Sequence, residues 1–182
     1  PTDLMRLVPN FSINNNVGSG TAISYWLRGS GVGESIATFD PPVGTYIDEV
    51  FDPRINAAQL ELLDLERVEV LRGPQGTLFG RNTTAGALSF ISRKPQPVFE
   101  GQVDLSYGRF DSKTAKLILN QPFTEKIFGR VSAYYAESDG PMRSLTTGDR
   151  YNGKDTWGMR GAVRFLLSED VDWNISATYT EA

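Results

Sequence analysis

Three stretches of this sequence carry residues whose types and spacing could do chemistry. The first, Arg28 to Ser35, reads RGSGVGES and comes close to the phosphate-cradling pattern G-x-x-x-x-G-K-[ST]. In register, Arg28 stands where the first glycine belongs and Glu34 where the lysine belongs. A carboxylate where a cation should meet phosphate reverses the electrostatics and argues against nucleotide binding. The second, Gly73 to Gly80, reads GPQGTLFG. Its glycine spacing is wrong for a dinucleotide turn, and no acidic residue follows about 20 residues on. The third kind is the carboxylate pair: Asp48 beside Glu49, and Asp64 near Glu66. Adjacent carboxylates on a strand point to opposite faces, so these read as turn or solvated-face residues rather than an acid–base couple.

Composition narrows the field further. The 182 residues include no Cys and no His, which removes thiolate nucleophiles, imidazole bases, disulfides and the usual zinc sites. The formal net charge is −4, without the basic footprint that nucleic acid requires. Glycine is frequent, at 18 residues, which predicts many turns and short strands. No apolar run reaches the length of a transmembrane helix. A transmembrane β-strand, however, needs only about 10 residues of alternating character. The sequence opens at Pro1 and stops at Ala182 inside what reads as a strand, so a fragment cut at both ends is expected.

With catalysis set aside, the elements that position these stretches come next. Residues 1–97 mix helix and strand. TDLMRLV reads as a short capped helix that stops before Pro9. Strands are predicted at Thr21–Gly29, Val43–Val50, ERVEVLR and GALSFISR. INAAQLELLDL places Ile55, Ala58, Leu62 and Leu65 on one helical face. The sum is a small mixed domain on a four-stranded sheet.

Residues 98–182 show period-2 segments instead. Val103, Leu105 and Tyr107 alternate with Gln102, Asp104 and Ser106, and Ala115, Leu117 and Leu119 alternate with Thr114, Lys116, Ile118 and Asn120. RVSAYYA, MRGAVRFLL and VDWNISATY continue the pattern, giving five strands, each apolar on one face. Tight turns alternate with a long polar loop, Glu137–Thr156, as in outer-membrane barrels. Tyr107, Trp157, Trp173 and Tyr179 lie near strand ends, where interfacial aromatic girdles sit. A soluble antiparallel sandwich would alternate in the same way.

The stretch LERVEVLRGPQGTLFGRNTTAGALSFISRKP, with VPNFSI, YWLRG and VGTYIDEV ahead of it in order, resembles the plug domain of TonB-dependent outer-membrane receptors. The segment from Phe99 to Ser138 resembles the start of that family's barrel. The resemblance implies an α+β plug domain over residues 1–97, N-terminally truncated. Antiparallel transmembrane β-barrel strands follow over 98–182, the first five of a barrel of roughly 22 strands. It implies energised uptake of a scarce large ligand, such as a ferric siderophore, across the Gram-negative outer membrane. The expected partners are the TonB complex, through a segment upstream of residue 1, a small-molecule metal chelate and outer-membrane lipid. No enzyme activity, cofactor, metal or nucleic acid is implied.

The resemblance also implies roles for residues. Gly73, Gly76, Gly80 and Gly86 are read as plug turn glycines, where the chain turns tightly or approaches neighbouring walls too closely for a Cβ. Arg28 and Arg72 stand where the family's plug arginines pair with barrel glutamates; the alternative is that each satisfies nearby loop carbonyls. Ser30, Glu34, Asp52 and Arg54 fall on loops that face ligand in the family, or else are solvated loop residues. The sequence departs from the family pattern at Glu49, where glycine is usual, which leaves the turn type there open, and at Ala85. The rival readings are a passive or adhesive barrel and a soluble β-rich binding domain or carbohydrate-active enzyme.

Overall fold

The computed structural model describes residues 4–15, 23–33, 40–52 and 64–181. The chain divides into two units, one formed by residues 1–60 and 65–93 and the other by 61–64 and 94–182. Each is described by itself.

The first unit opens with a single helical turn, Leu4–Leu7, that stops short of Pro9. Strands β1 (Phe11–Asn15), β2 (Ile23–Leu27) and β3 (Ser30–Gly31) form an antiparallel sheet in that order. A second sheet joins β4 (Val43–Ile47), β5 (Val50–Asp52), β6 (Leu65–Arg72) and β7 (Gly86–Ser92) in the order β5-β4-β7-β6. Here β4 and β7 run parallel and the other pairs antiparallel. The four-stranded sheet of the sequence reading exists, but its fourth member is β5. The YWL strand belongs to the other sheet. Of the expected helix over INAAQLELLDL, most lies outside the described residues, and Leu65 begins β6 rather than ending a helix.

Burial explains the order of strands. From Gly86 to Phe90 every residue of β7 is buried, as a central strand covered on both faces requires. On β6 the edge is charged: Arg67 pairs with Glu69 at 2.7 Å and with Glu66 at 3.0 Å, which discourages pairing with a foreign strand. Leu27, Val43, Ala87, Leu88 and Phe90 form the core, and Phe11 stacks on Tyr25 with centroids 5.8 Å apart.

Two tight hairpins shape this unit, and both place non-glycine residues in the left-handed region. Asp48 (φ 48°) and Glu49 (φ 70°) join paired Ile47 and Val50. The turn left open by the sequence is therefore of the primed kind that suits strand twist. Glu49 sustains a strain of about 1 kcal/mol there. Compensation comes from Asp48, whose carboxylate accepts the Ser92 backbone N–H at 2.8 Å and the Ser92 hydroxyl at 2.9 Å.

The second unit is an antiparallel meander. Strands β8 (Glu100–Gly108), β9 (Ser112–Pro122) and β10 (Ile127–Ser138) lead to a loop holding the short pair β11 (Met142–Arg143) and β12 (Arg150–Tyr151). Then come β13 (Lys154–Leu166) and β14 (Asp172–Glu181), and the sheet order is β14-β13-β10-β9-β8. The turn at 109–111 and the loop at 139–153 share one end of this sheet; 123–126 and 167–171 share the other.

Register sorts the two faces across all five strands. One row reads Val103, Leu117, Ala133, Met159, Tyr179; the next reads Leu105, Ala115, Tyr135, Trp157. The opposite face carries Glu100, Asn120, Arg130, Ala162 and Ser176 in one row. Exposure is inverted relative to a water-soluble sheet. Leu105 is 77% exposed and Tyr107 76%, whereas Asn120 is 0% and Arg130 4% exposed. A contiguous exposed apolar face this broad marks a surface that meets lipid or another apolar partner.

Aromatic residues border that face at both ends. Toward the long loop, Tyr107, Tyr135 and Tyr179 donate hydroxyl hydrogen bonds to Asp111, Glu137 and Glu181 at 3.0, 3.0 and 3.4 Å. Trp157 packs 5.3 Å from Tyr179. At the other end Phe165 pairs with Trp173. The four expected girdle residues thus divide between two borders, with Trp173 on the far one. From Trp157 to Phe165 the strand rises about 26 Å, or about 20 Å along a membrane normal at a tilt near 40°. That approaches the apolar band of about 25 Å in outer-membrane barrels.

Candidate functional site

In the first unit the glycine-rich stretch runs from the end of β6 to the start of β7. It is tied by backbone bonds: Gly73 N–H to Ala85 O at 3.0 Å, Gln75 N–H to Thr83 O at 3.0 Å, and Ala85 N–H to Pro42 O at 2.9 Å. Thr83 donates its hydroxyl to Gly80 O at 2.8 Å. A one-turn helix, Gly76–Phe79, sits at its tip. Phe79 packs edge-on against Tyr46 at 4.8 Å, and its carbonyl accepts the Tyr46 hydroxyl. Beside it lies a depression of about 380 Å³, bordered by Pro74, Arg81, Asn82 and Thr84 among others.

The four glycines differ in steric demand. Gly73 and Gly80 have φ of 95° and 75°. At Gly86 a Cβ would collide with the Leu71 carbonyl and the Leu27 side chain. Gly76 departs from the expectation: its φ is not positive and no described heavy atom lies within 4 Å of where its Cβ would be. A close fit that sequence reading missed is Gly44, whose Cβ would come 2.6 Å from Thr83 Cγ2.

The structure places the Arg28 side chain beside Gly73, the residue that follows Arg72. Arg28, at φ 56°, opens the β2–β3 turn and donates its N–H to Asn10 O at 2.8 Å. Its side chain runs to Gly73, where a Cβ would lie 3.7 Å from Arg28 Nη1. Arg72 is the preceding residue, exposed at the end of β6. Ser30 is exposed at the start of β3. Asp52 ends β5, and its charge adds to burial, the larger cause, in pushing the Tyr25 hydroxyl pKa far above the ordinary tyrosine value. That hydroxyl is buried without a hydrogen-bond partner among the described residues. Glu34 and Arg54 lie outside the described residues.

The second unit contains a polar network that sequence reading missed. Arg130, on the polar face of β10, donates from Nε to Asp64 Oδ2. Its Nη2 lies within ion-pair distance of the same oxygen but off hydrogen-bond geometry. Nη1 bonds Glu100 at 2.8 Å. The Arg130 side chain is 4% and the Asp64 side chain 12% exposed. Asp64 is therefore a buried ion-pair partner, correcting its reading as a turn or solvated carboxylate.

A second set of contacts fixes the segment after β7. Asn120, fully buried, accepts the Gln96 N–H at 3.0 Å and donates to Gln96 O at 2.9 Å and to Val98 O. Arg164 donates to Pro95 O at 3.2 Å while pairing with Asp172 at 3.0 Å. Asp64 and residues 95–98 both belong to the second unit, and these contacts lie within it. No local pattern announces such pairs, because the partners stand 66 and 24 residues apart. These groups hold a chain in place; they are not arranged to transfer protons or attack a substrate.

A small mixed α+β domain followed by long antiparallel strands, apolar on one face and mostly polar on the other, defines the class of protein that joins a plug domain to β-barrel strands. Residues 1–87 match the TonB-dependent Receptor Plug Domain family. Over 173 residues the chain is 28% identical to the pesticin receptor of Yersinia pestis, covering 94% of this chain and 25% of that protein. It is 31% identical to the ferripyoverdine receptor of Pseudomonas aeruginosa over 118 residues, covering 64% of this chain and 14% of that protein. The crystal structure of the ferric yersiniabactin uptake receptor from Yersinia pestis superposes with a TM-score of 0.82 at 25% identity. That match covers 98% of this chain and 28% of the other. Residues 1–87 thus carry the plug domain of the TonB-dependent receptors, and the chain is similar to those receptors over nearly its whole length. It spans about a quarter of the length of the curated relatives it matches most fully.

Proposed function

We propose that the protein takes up a ferric siderophore, or a chelate of similar size, across the outer membrane of a Gram-negative cell, driven through TonB. The observation that carries this reading is the joining of a plug domain to a sheet with one exposed apolar face and an opposite face that buries Asn120, Arg130, Ser132 and Thr156. Relatives named for ferripyoverdine, catecholate siderophores and ferric yersiniabactin support the substrate class. Residues 1–97 act as the plug and 98–182 as the first barrel strands, with lipid against the apolar face. The protein is a transporter rather than an enzyme.

In this reading Arg28 and Arg72 hold the resting plug by pairing with wall carboxylates. The approach of Arg28 to Gly73 supports a joint role for them. Ser30, Glu34, Asp52 and Arg54 contribute ligand contacts from the plug loops. The energising pull enters through a segment ahead of residue 1.

The test is uptake of radiolabelled ferric chelates into intact cells carrying the full-length receptor, with and without a proton uncoupler. Receptor-dependent uptake that stops on uncoupling is expected. Receptor-dependent entry that ignores the uncoupler would replace this reading with a passive channel.

A further inference from the structure

Three arginines gather at the long-loop end of the second unit. Arg109 and Phe110 sit in the 109–111 turn, and the Phe110 carbonyl accepts the Asp139 N–H at 3.0 Å, fixing turn to loop. Arg143 and Arg150 are direct cross-strand partners in the β11–β12 hairpin. The Arg150 guanidinium carbon lies 5.2 Å from the centroid of the Phe110 ring, and that of Arg109 lies 4.9 Å from the same ring. One aromatic ring therefore carries two guanidinium groups, within the range of a cation–π contact. A third stands opposite one of them.

Like charges placed directly across a strand pair repel. Several cations elsewhere in this unit are matched: Arg130 with Asp64 and Glu100, Arg164 with Asp172, Lys113 with Asp111. Among the described residues, none of these three arginines is within ion-pair distance of a carboxylate. Arg143 bonds the Gly148 carbonyl at 3.1 Å and Arg150 the Gly140 carbonyl at 3.2 Å. Those contacts orient the forks without neutralising them. Each guanidinium has five N–H donors, so most remain available, and all three residues are exposed. A planar fork with free donors fits the paired oxygens of an oxyanion.

We propose that Arg109, Arg143 and Arg150, organised by Phe110, form an oxyanion-binding site for a ligand presenting several carboxylate, catecholate or phosphate oxygens. Its occupant relieves the repulsion between Arg143 and Arg150. Two sources supply this chemistry: a net-anionic ferric chelate, an assignment that rests on the uptake reading above, and the phosphorylated headgroup of an outer-leaflet glycolipid.

The full-length receptor, purified in detergent, is compared with R143Q/R150Q by equilibrium dialysis. The probes are ferric tris-catecholate, a multiply charged anion, and a ferric trihydroxamate without negative charge. Lipid phosphorus carried through purification is measured in parallel. Loss of two charged hydrogen-bonding groups is expected to weaken tris-catecholate binding about tenfold or more. It should also flatten the salt dependence of that binding and leave trihydroxamate binding as it was. The Arg143→Lys/Arg150→Lys pair should restore part of the affinity, and Phe110→Leu, which keeps every charge, should lose part of it. If lipid phosphorus falls in the double variant while chelate binding does not, the site stands and the headgroup is its occupant. Equal chelate binding and equal phosphorus in both proteins would overturn the site. Uncoupler-insensitive entry, by contrast, would defeat the transport reading and leave this site intact.

Discussion

Arg130 on β10 forms a buried ion pair with Asp64, a residue 66 positions earlier that sits immediately ahead of β6. Glu100, two strands away on the same face, shares the guanidinium. The arrangement neutralises Arg130 with two carboxylates and fastens the chain immediately ahead of β6.

Removing the cation should cost more than removing one of its carboxylates. Arg130→Met leaves the Asp64 carboxylate buried without its partner and is expected to destabilise the folded receptor by about 3 kcal/mol. Asp64→Asn leaves Glu100 to balance Arg130 and should cost about 1–2 kcal/mol. The double variant should fall short of the sum. Heat-modified gel mobility of the full-length receptor in detergent, followed against temperature, measures all three.

Asn120 predicts a change in protease sensitivity. Asn120→Ala deletes three hydrogen bonds to Gln96 and Val98, leaving part-buried backbone groups without these partners at about 1–3 kcal/mol in total. The segment after β7 should then open locally, and trypsin should cut after Arg93 several times faster than in the parent protein. Unchanged cutting at Arg93 would mean that Arg164 alone holds the segment.

The glycines give a paired control. Gly86→Ala drives a Cβ into the Leu71 carbonyl and Leu27, and should destabilise by at least about 2 kcal/mol. Gly76→Ala meets no described atom and should leave stability within about 0.5 kcal/mol or raise it slightly. Thermal midpoints of the two variants should separate by several degrees.

Tyr25 gives the fold an alkaline limit. Burial first, then Asp52, raises its pKa above the ordinary value of 10.0. A raised folded-state pKa favours the protonated hydroxyl in the fold. That stability is fully present below the unfolded value and is lost as pH rises through the folded one. Stability should therefore decline above about pH 10. Tyr25→Phe should lessen that decline and, because it deletes a buried hydroxyl unpartnered among the described residues, should cost little at neutral pH. Melting curves between pH 7 and 11 distinguish the two proteins.

The sequence by itself determined the long strands of the second unit, their faces and the resemblance to a family. Val103, Leu105 and Tyr107 alternate with polar neighbours, and a period of two is a local property that any short window displays. The stretch from Leu65 to Pro95 is long enough to carry the plug resemblance without any three-dimensional information. Other features depended on which distant residues meet. Asp64 looked like a solvated carboxylate because its charge is local knowledge and its partner on β10 is not. YWL looked like a member of the larger sheet because strand order is set by packing, not by strand propensity. Glu49 looked unsuited to a tight hairpin because the bonds from Asp48 to Ser92, which offset its strain, cross 44 residues of chain. Only the tertiary structure decided that Arg143 would face Arg150 and that Phe110 would gather Arg109 beside them. Those contacts arise from a turn and a loop that neighbouring strands bring to the same end of the sheet.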